Sequence, residues 1–106
     1  MKVYARPRQG GKTTELIRLA AEEFLYVVCP DQAQVRRVAQ MARDMGLDIP
    51  FPLSWAEFSA GRYNGRGING FVIDNLDMCI QQMTTVPVRA VSLTDADAPI
   101  PAVPAP

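Results

Sequence analysis

The sequence predicts a three-layer α/β domain whose core is a short, mostly parallel sheet of four strands. Apolar segments of strand length alternate with segments of helical periodicity, an order typical of parallel sheets covered by helices. Two of the apolar segments, 25–29 and 71–73, are continuously apolar, as expected of strands buried on both faces. A length of 106 residues fits one domain, which we place at 1–97.

Strand-forming and helix-forming segments follow one another regularly. The predicted strands are 2–5, 25–29, 71–73 and 86–93; the predicted helices are 13–24, a segment between the cap Asp31 and the glycine stop Gly46, 55–60 and 76–83. Pro87 weakens the start of the fourth strand, because proline lacks the N–H that a sheet ladder needs. Residues 98–106 carry four prolines and predict an extended tail outside the core.

Two capping signals indicate where helices begin. Asp31 with Gln34, and Ser54 with Glu57, have the spacing of a capping box, in which side chains satisfy free N–H groups at a helix start. The segment 47–53 contains two prolines and is predicted to be a loop. A sheet of only four strands would leave edges that a second chain can cover, so self-association is a further expectation.

Composition excludes several kinds of site. Hydrophobic residues make up 48% of the chain and charged residues 21%, as in ordinary globular domains. Acidic and basic residues are equal at 11 each, so any contact with nucleic acid must be local. The chain has no histidine and its two cysteines, Cys29 and Cys79, are far apart, so a Cys/His metal site is not expected. Both thiols are predicted to be buried in a reducing compartment.

The N-terminal sequence bears on location. No segment is long and apolar enough to span a membrane, so no membrane partner is expected. The first motif follows Met1 so closely that it leaves no room for a signal peptide. We therefore expect a cytoplasmic protein, in the host cytoplasm if the chain is viral.

The most informative motif is a phosphate loop between the first strand and the first helix. Gly10 and Gly11 allow backbone N–H groups to crowd around phosphate oxygens, and the helix start adds free N–H groups and a positive dipole end. Lys12 supplies a compact charge for the β- and γ-phosphates. Thr13 offers a hydroxyl to Mg²⁺, and Thr14 reaches toward the α-phosphate. These residues predict binding of ATP or a similar nucleotide with Mg²⁺.

The loop departs from the usual pattern G-x-x-x-x-G-K-S/T. Its first glycine position is occupied by Arg6. An ordinary glycine-rich turn is the alternative interpretation. The preceding strand, the following helix and an acidic strand end downstream all favour the phosphate loop.

A carboxylate follows the strand 71–73. Ligands of parallel sheets bind beyond the carboxyl ends of the strands, which predicts that Asp74 lies near Thr13 and holds the Mg²⁺ through water. The alternative is that Asp74 only caps the next helix. Asn75 occupies the position where a water-activating glutamate is common, and it can orient water but cannot take its proton. Asp77 is a candidate substitute base, and hydrolysis is expected to be weak or conditional.

At residues 7–14 and 71–74 the chain resembles the P-loop NTPase superfamily. Within it, the run from Arg8 to Thr14 is similar to the variant phosphate loop of viral DNA-packaging ATPases, the terminase large subunits, which read Arg-Gln-x-Gly-Lys-Ser/Thr. The resemblance implies that Arg8 faces the γ-phosphate and that Gln9 lines the loop. It also suggests a miniature, phage-encoded relative linked to DNA transactions.

The same resemblance implies a strand order in which 2–5 lies beside 86–93 rather than beside 71–73. Ser92 or Thr94 would then occupy a polar sensor position at the end of the fourth strand. The chain departs from that family because it lacks the catalytic glutamate and a nuclease domain, and because it is far shorter.

Three other functions compete with a nucleotide-binding protein of weak or conditional NTPase activity. The first is a hydrolysis-deficient module on the same fold that binds a host or viral protein. The second is a nucleotide or nucleoside kinase, for which 106 residues leave little room. The third is an accessory factor that binds DNA.

Two groups of arginines have two interpretations each. Arg62 and Arg66 in the glycine-rich loop 61–70, and Arg36, Arg37 and Arg43 on the second helix, are either solvated or contact nucleic acid. The loop pair can also reach a neighbour's nucleotide.

Two features remain outside the motifs. Trp55 and Phe58 are predicted to pack under the glycine-rich loop, with stacking on a base as the alternative. The tail 98–106 is predicted to be a disordered end, with binding to a Pro-rich groove of a partner as the alternative.

Overall fold

The computed structural model describes residues 1, 3–4, 11–63 and 67–94, which form a small α/β domain. The elements in chain order are α1 (Lys12–Glu23), β1 (Tyr26–Cys29), α2 (Gln32–Asp44), β2 (Leu53–Ser54), α3 (Trp55–Ser59), β3 (Phe71–Ile73) and α4 (Leu76–Gln81). The four predicted helices and the strands 25–29 and 71–73 are therefore confirmed, with ends that differ by one or two residues.

Within the described residues the sheet has three strands in the order β2-β1-β3, and both pairings are parallel. Val28 of the central strand pairs with Leu53 on one side and with Ile73 on the other. Val27, Val28 and Cys29 are completely buried, as the continuous apolar run predicts for a strand covered on both faces. The parallel direction of the strands is as predicted, whereas the implied neighbour 86–93 is not a strand.

One face of the sheet is covered by α1 and α2. Val27 and Cys29 point to this face, since side chains alternate along a strand. They belong to one buried cluster with residues of both helices, among them Ile17, Ala20, Val35, Val38 and Ala42. This layer fixes the position of α1 against the strand ends, and that position determines the site described below.

The opposite face carries a cluster of aromatic rings. Tyr26 and Phe71 are paired across β1 and β3, and their rings lie 6.0 Å apart between centroids. Phe58 of α3 and Tyr63 each meet Phe71 edge-on at 5.0 Å. Trp55 continues the cluster beside Phe58 at 5.6 Å. The packing role predicted for Trp55 and Phe58 is confirmed.

The predicted caps are present. The Asp31 carboxylate accepts from the Gln34 N–H at 2.9 Å, and Ser54 and Glu57 form a reciprocal capping box at the start of α3. Gly46 has φ 69° just after α2, and hydrogen bonds from 46 to 43 and from 47 to 42 close that helix end. Two short polar residues at helix starts and a glycine at a helix end therefore set these boundaries.

The prediction of a fourth strand at 86–93 is wrong. These residues have no regular structure, and Val86 and Val91 are about two-thirds exposed. Pro87 lacks an N–H, and the side-chain amide of Gln81 takes the place of a neighbouring strand: it donates to the Val86 carbonyl at 3.0 Å and accepts from the Val88 N–H at 2.7 Å.

The structure also contains a strand in a segment that the sequence predicts to be a loop. Leu53 and Ser54 form β2 at the end of the proline-containing segment 47–53. Pro52 precedes the strand, where its missing N–H breaks no ladder bond within β2. Residues 2 and 5 of the predicted first strand, and the tail 98–106, lie outside the described residues.

Candidate functional site

The site is built at the carboxyl edge of the sheet, where β1 and β3 end side by side and α1 begins. Gly11 precedes α1 with φ 74°, a left-handed conformation that glycine adopts without strain. Lys12 and Thr13 are the first two residues of the helix, where backbone N–H groups are free. Three predicted phosphate-loop residues, Arg8, Gln9 and Gly10, lie outside the described part of the chain.

Thr13 and Asp74 meet at this edge although 61 positions separate them in the sequence. The Thr13 hydroxyl donates to both carboxylate oxygens of Asp74, at 3.1 Å to Oδ2 and 3.3 Å to Oδ1. The Asp74 N–H donates to the Val28 carbonyl at 2.9 Å and so extends the pairing of β1 with β3 by one residue. The predicted proximity of the two side chains is therefore observed.

Asp74 is a charged residue with only 2% of its surface exposed. Burial raises the pKa of its carboxyl above the ordinary value, because the ionised form loses hydration. The Thr13 hydrogen bond and the charges of Lys12 and Arg37 act in the opposite direction and lower that pKa. The neighbouring donor and cations therefore offset only part of the cost of burying this carboxylate.

The two side chains present oxygen ligands of the kind that Mg²⁺ prefers, a hydroxyl and a carboxylate. Among the described residues no group of three or more histidine, cysteine, aspartate and glutamate side chains is arranged to hold a metal. Mg²⁺ commonly uses one or two protein oxygens together with water and phosphate, so this pair fits that mode of binding and does not fit an all-protein metal cage.

The capping alternative for Asp74 is not what the geometry favours. Helix α4 begins after Asn75, whose side chain makes no capping hydrogen bond, while the Asp74 carboxylate faces Thr13 of another helix. Asn75 has φ 57° and ψ 56°, in the left-handed region that asparagine tolerates better than most residues. Asp77 is exposed in the first turn of α4, and its charge acts on Asp74. The catalytic roles assigned to Asn75 and Asp77 stay predictions.

Two thiols lie around the site and both are free and buried, as predicted. Burial raises the pKa of Cys29 to about 12 and that of Cys79 to about 11. The Cys79 Sγ donates to the backbone carbonyl of Asp74 at 3.7 Å. Neither thiol forms an appreciable amount of thiolate at neutral pH, so neither suits a nucleophilic role.

Arg37 is a residue whose connection to this site the sequence did not predict. It was assigned to the polar side of the second helix, and it is indeed exposed. Its charge nevertheless acts on Asp74 together with that of Lys12. Helical periodicity places Arg37 on the exposed side of α2 but does not connect it to Asp74, because that connection depends on how α2 packs against α1.

Other predicted positions are not brought to the site. Ser92 and Thr94 do not end a strand, because 86–93 is not one, so the sensor role implied by the resemblance has no structural basis. Arg62 follows the end of α3 and is exposed, and its N–H donates to the Glu57 carbonyl at 2.8 Å. Arg66 lies outside the described residues.

The remaining findings concern the chain as a whole. None of the helices in the described part of the chain is long and apolar enough to cross a membrane. Comparison with protein-family models, with curated proteins and with solved structures finds no match for this chain. The residues at the carboxyl edge of the sheet are therefore the basis on which a function can be assigned.

Proposed function

We propose that this protein binds a nucleotide together with Mg²⁺, and that the nucleotide is ATP or a similar nucleoside triphosphate. The observation that carries the proposal is the pair of hydrogen bonds from the Thr13 hydroxyl to the buried Asp74 carboxylate at the start of α1. Burying a carboxylate costs stability even when a hydroxyl donates to it. A hydroxyl–carboxylate pair beside a helix N-terminus is an arrangement that suits a metal-bound polyphosphate.

The cationic side of the site supports the same function. Lys12 is the first residue of α1, where the free N–H groups and the helix dipole already favour an anion. Thr13 and Asp74 would hold Mg²⁺, and the metal when bound supplies positive charge to the phosphate oxygens. The predicted phosphate-loop residues Arg8, Gln9 and Gly10 would complete the cradle.

Hydrolysis is the weaker part of the proposal. Asn75 follows Asp74 at the position where a carboxylate would accept a proton from water, and an amide cannot do so. Asp77 is exposed in the first turn of α4 and would have to act from there. We therefore propose nucleotide binding with weak or conditional turnover, and the similarity of the loop to terminase ATPases supports a link to DNA transactions.

The test is calorimetric titration of the protein with Mg-ATP, alongside the variant Lys12→Ala. The wild-type protein should bind, and the variant should lose at least about tenfold in affinity, because a charge-assisted contact to phosphate is removed. Circular dichroism confirms that the variant is folded. A folded wild-type protein that binds neither ATP, GTP nor tripolyphosphate would contradict the proposal.

A second candidate is a module that keeps this fold but acts by binding a host or viral protein. The apolar surface that runs from the end of α4 through the segment 86–93 favours it: Met83, Val86 and Val91 are each about two-thirds exposed. Asn75 in place of a base is also consistent with it. This second candidate would become the better-supported function if the wild-type protein bound no nucleotide.

A further inference from the structure

The two flanks of α2 face different parts of the molecule. On one flank Ala39, Ala42 and Arg43 line a shallow cleft with the segment 47–52 that leads into β2. At about 100° per residue, Arg37 lies roughly 150° from the centre of the buried stripe of α2, on the exposed side and leaning toward the flank opposite to Arg43. Because α2 contacts β1 and β2 whereas α1 contacts β1 and β3, this opposite flank of α2 is turned toward α1.

Arg37 is also close to the level of the site. Both α1 and α2 begin at the carboxyl edge of the sheet, and Arg37 is the sixth residue of α2. Five residues of helix rise by about 7.5 Å, a distance that a long arginine side chain spans along the surface while its guanidinium stays in water. The charges of Arg37 and Lys12 reach the same buried group, the Asp74 carboxylate, from two different helices.

A buried carboxylate alone does not require two cations, since the Thr13 hydroxyl already donates to it. The polyphosphate of a nucleotide does require further cations, because it carries more negative charge than one Mg²⁺ neutralises. A guanidinium also has the planar fork that binds two phosphate oxygens at once, which an ammonium lacks. The exposed head of Arg37 is free to reorient toward such a ligand.

We propose that Arg37 is a second cation of the phosphate site, whose guanidinium contacts the polyphosphate of the bound nucleotide beside Lys12. This inference rests on the proposed nucleotide binding and assigns a phosphate ligand from α2, outside the phosphate loop. Arg36 is a matched control, since it is exposed on the same helix but lies on the flank of Arg43, away from α1.

The experiment is a titration of the full chain with ATP, once with Mg²⁺ and once with a chelator, for wild type, Arg37→Ala, Arg37→Lys and Arg36→Ala. Arg37→Ala should weaken binding about 10- to 100-fold under both conditions, as expected for loss of a charged hydrogen bond. Arg37→Lys should recover part of the affinity. Arg36→Ala should stay within about twofold of wild type, as a surface substitution does.

The following results would overturn the inference, either alone or together with the proposed function. If Arg37→Ala matched Arg36→Ala, Arg37 would be a solvated surface residue. If Arg37→Ala weakened binding only when Mg²⁺ is present, Arg37 would act on Asp74 and not on phosphate. If wild type failed to bind ATP at all, the proposed function would fall with it. Loss of binding in Lys12→Ala with no change in Arg37→Ala would refute only the role of Arg37.

Discussion

Two neighbouring strand-to-helix junctions differ in how they use an aspartate. At the first, Asp31 follows β1 after Pro30, is exposed, and caps α2 by accepting from the N–H three residues later. At the second, Asp74 follows β3 directly, is buried, and accepts from Thr13 on a distant helix. The same sequence pattern, an apolar strand followed by an aspartate, therefore gives a helix cap at one junction and a tertiary hydrogen bond at the other.

The difference arises because Asp31 lies two residues after the end of β1, whereas Asp74 lies one residue after the end of β3. The Asp74 N–H still donates to Val28, so Asp74 remains in the sheet ladder and its side chain lies among the strand ends, near the start of α1. Asp31 is placed one residue further out, beyond Pro30, where the chain has left the ladder and turns into α2. An aspartate inside the ladder is positioned by tertiary structure, and one beyond it by the adjacent helix.

The largest contrast between the junctions should appear in nucleotide binding. Asp74→Ala removes one of the two proposed Mg²⁺ ligands and should weaken Mg-ATP binding about 100-fold or more, whereas Asp31→Ala should change it by less than about twofold. Titration calorimetry at fixed Mg²⁺ measures both. Equal losses in the two variants would mean that Asp74 has no special role in binding.

In the ligand-free protein it is Asp31 that should contribute to stability, whereas the Asp74 carboxylate should reduce it. Asp31→Ala removes a helix cap and should lower the free energy of unfolding by about 1 kcal/mol. Asp74→Asn should raise it at neutral pH, because burial raises the pKa of the Asp74 carboxyl and the ionised form therefore destabilises the folded state. Urea unfolding monitored by circular dichroism gives both values.

The sign of the pH dependence gives a control for that prediction. A carboxyl whose pKa is higher in the folded state binds its proton more tightly there, so wild type should gain stability as the pH falls through the folded pKa toward the unfolded value of 3.8. Asp74→Asn lacks this titration, so its advantage over wild type should shrink on acidification. An advantage that stays constant with pH would show that the carboxyl does not cause it.

Local signals in the sequence predicted much of this fold. The caps at Asp31 and Ser54 and the buried run that became β1 depend on neighbouring residues, and they are observed as predicted. The Thr13–Asp74 contact was also predicted, because parallel strands bring their carboxyl ends to one edge.

The failures occurred where distant contacts decide the outcome. The segment 86–93 has strand-forming residues, yet Pro87 and the Gln81 side-chain amide keep it out of the sheet. β2 is only two residues long and follows prolines, so no local pattern distinguishes it from a loop. The effect of Arg37 on Asp74 depends on how α2 packs against its neighbours, which helical periodicity alone does not reveal.

The smallest expected effect concerns the backbone of the second junction. Asn75 lies in the left-handed region, with φ 57°, and so does Phe24, with φ 56°, at the end of α1. Asn75→Gly should change the free energy of unfolding by less than about 0.5 kcal/mol, whereas Asn75→Ala should cost about 1 kcal/mol, because a Cβ without a compensating polar side chain is disfavoured there. Urea unfolding measures both, and Phe24→Gly tests the same conformation away from the site.

This conformation bears on catalysis as well as on stability. The residue after Asp74 is where a base would be useful, but a glutamate has less tolerance for the left-handed region than asparagine has. Asn75→Glu should therefore lower stability by about as much as Asn75→Ala, about 1 kcal/mol, whether or not it raises ATP turnover. A fully stable Asn75→Glu variant would show that the junction does not restrict this position, and the asparagine would then need an explanation other than backbone geometry.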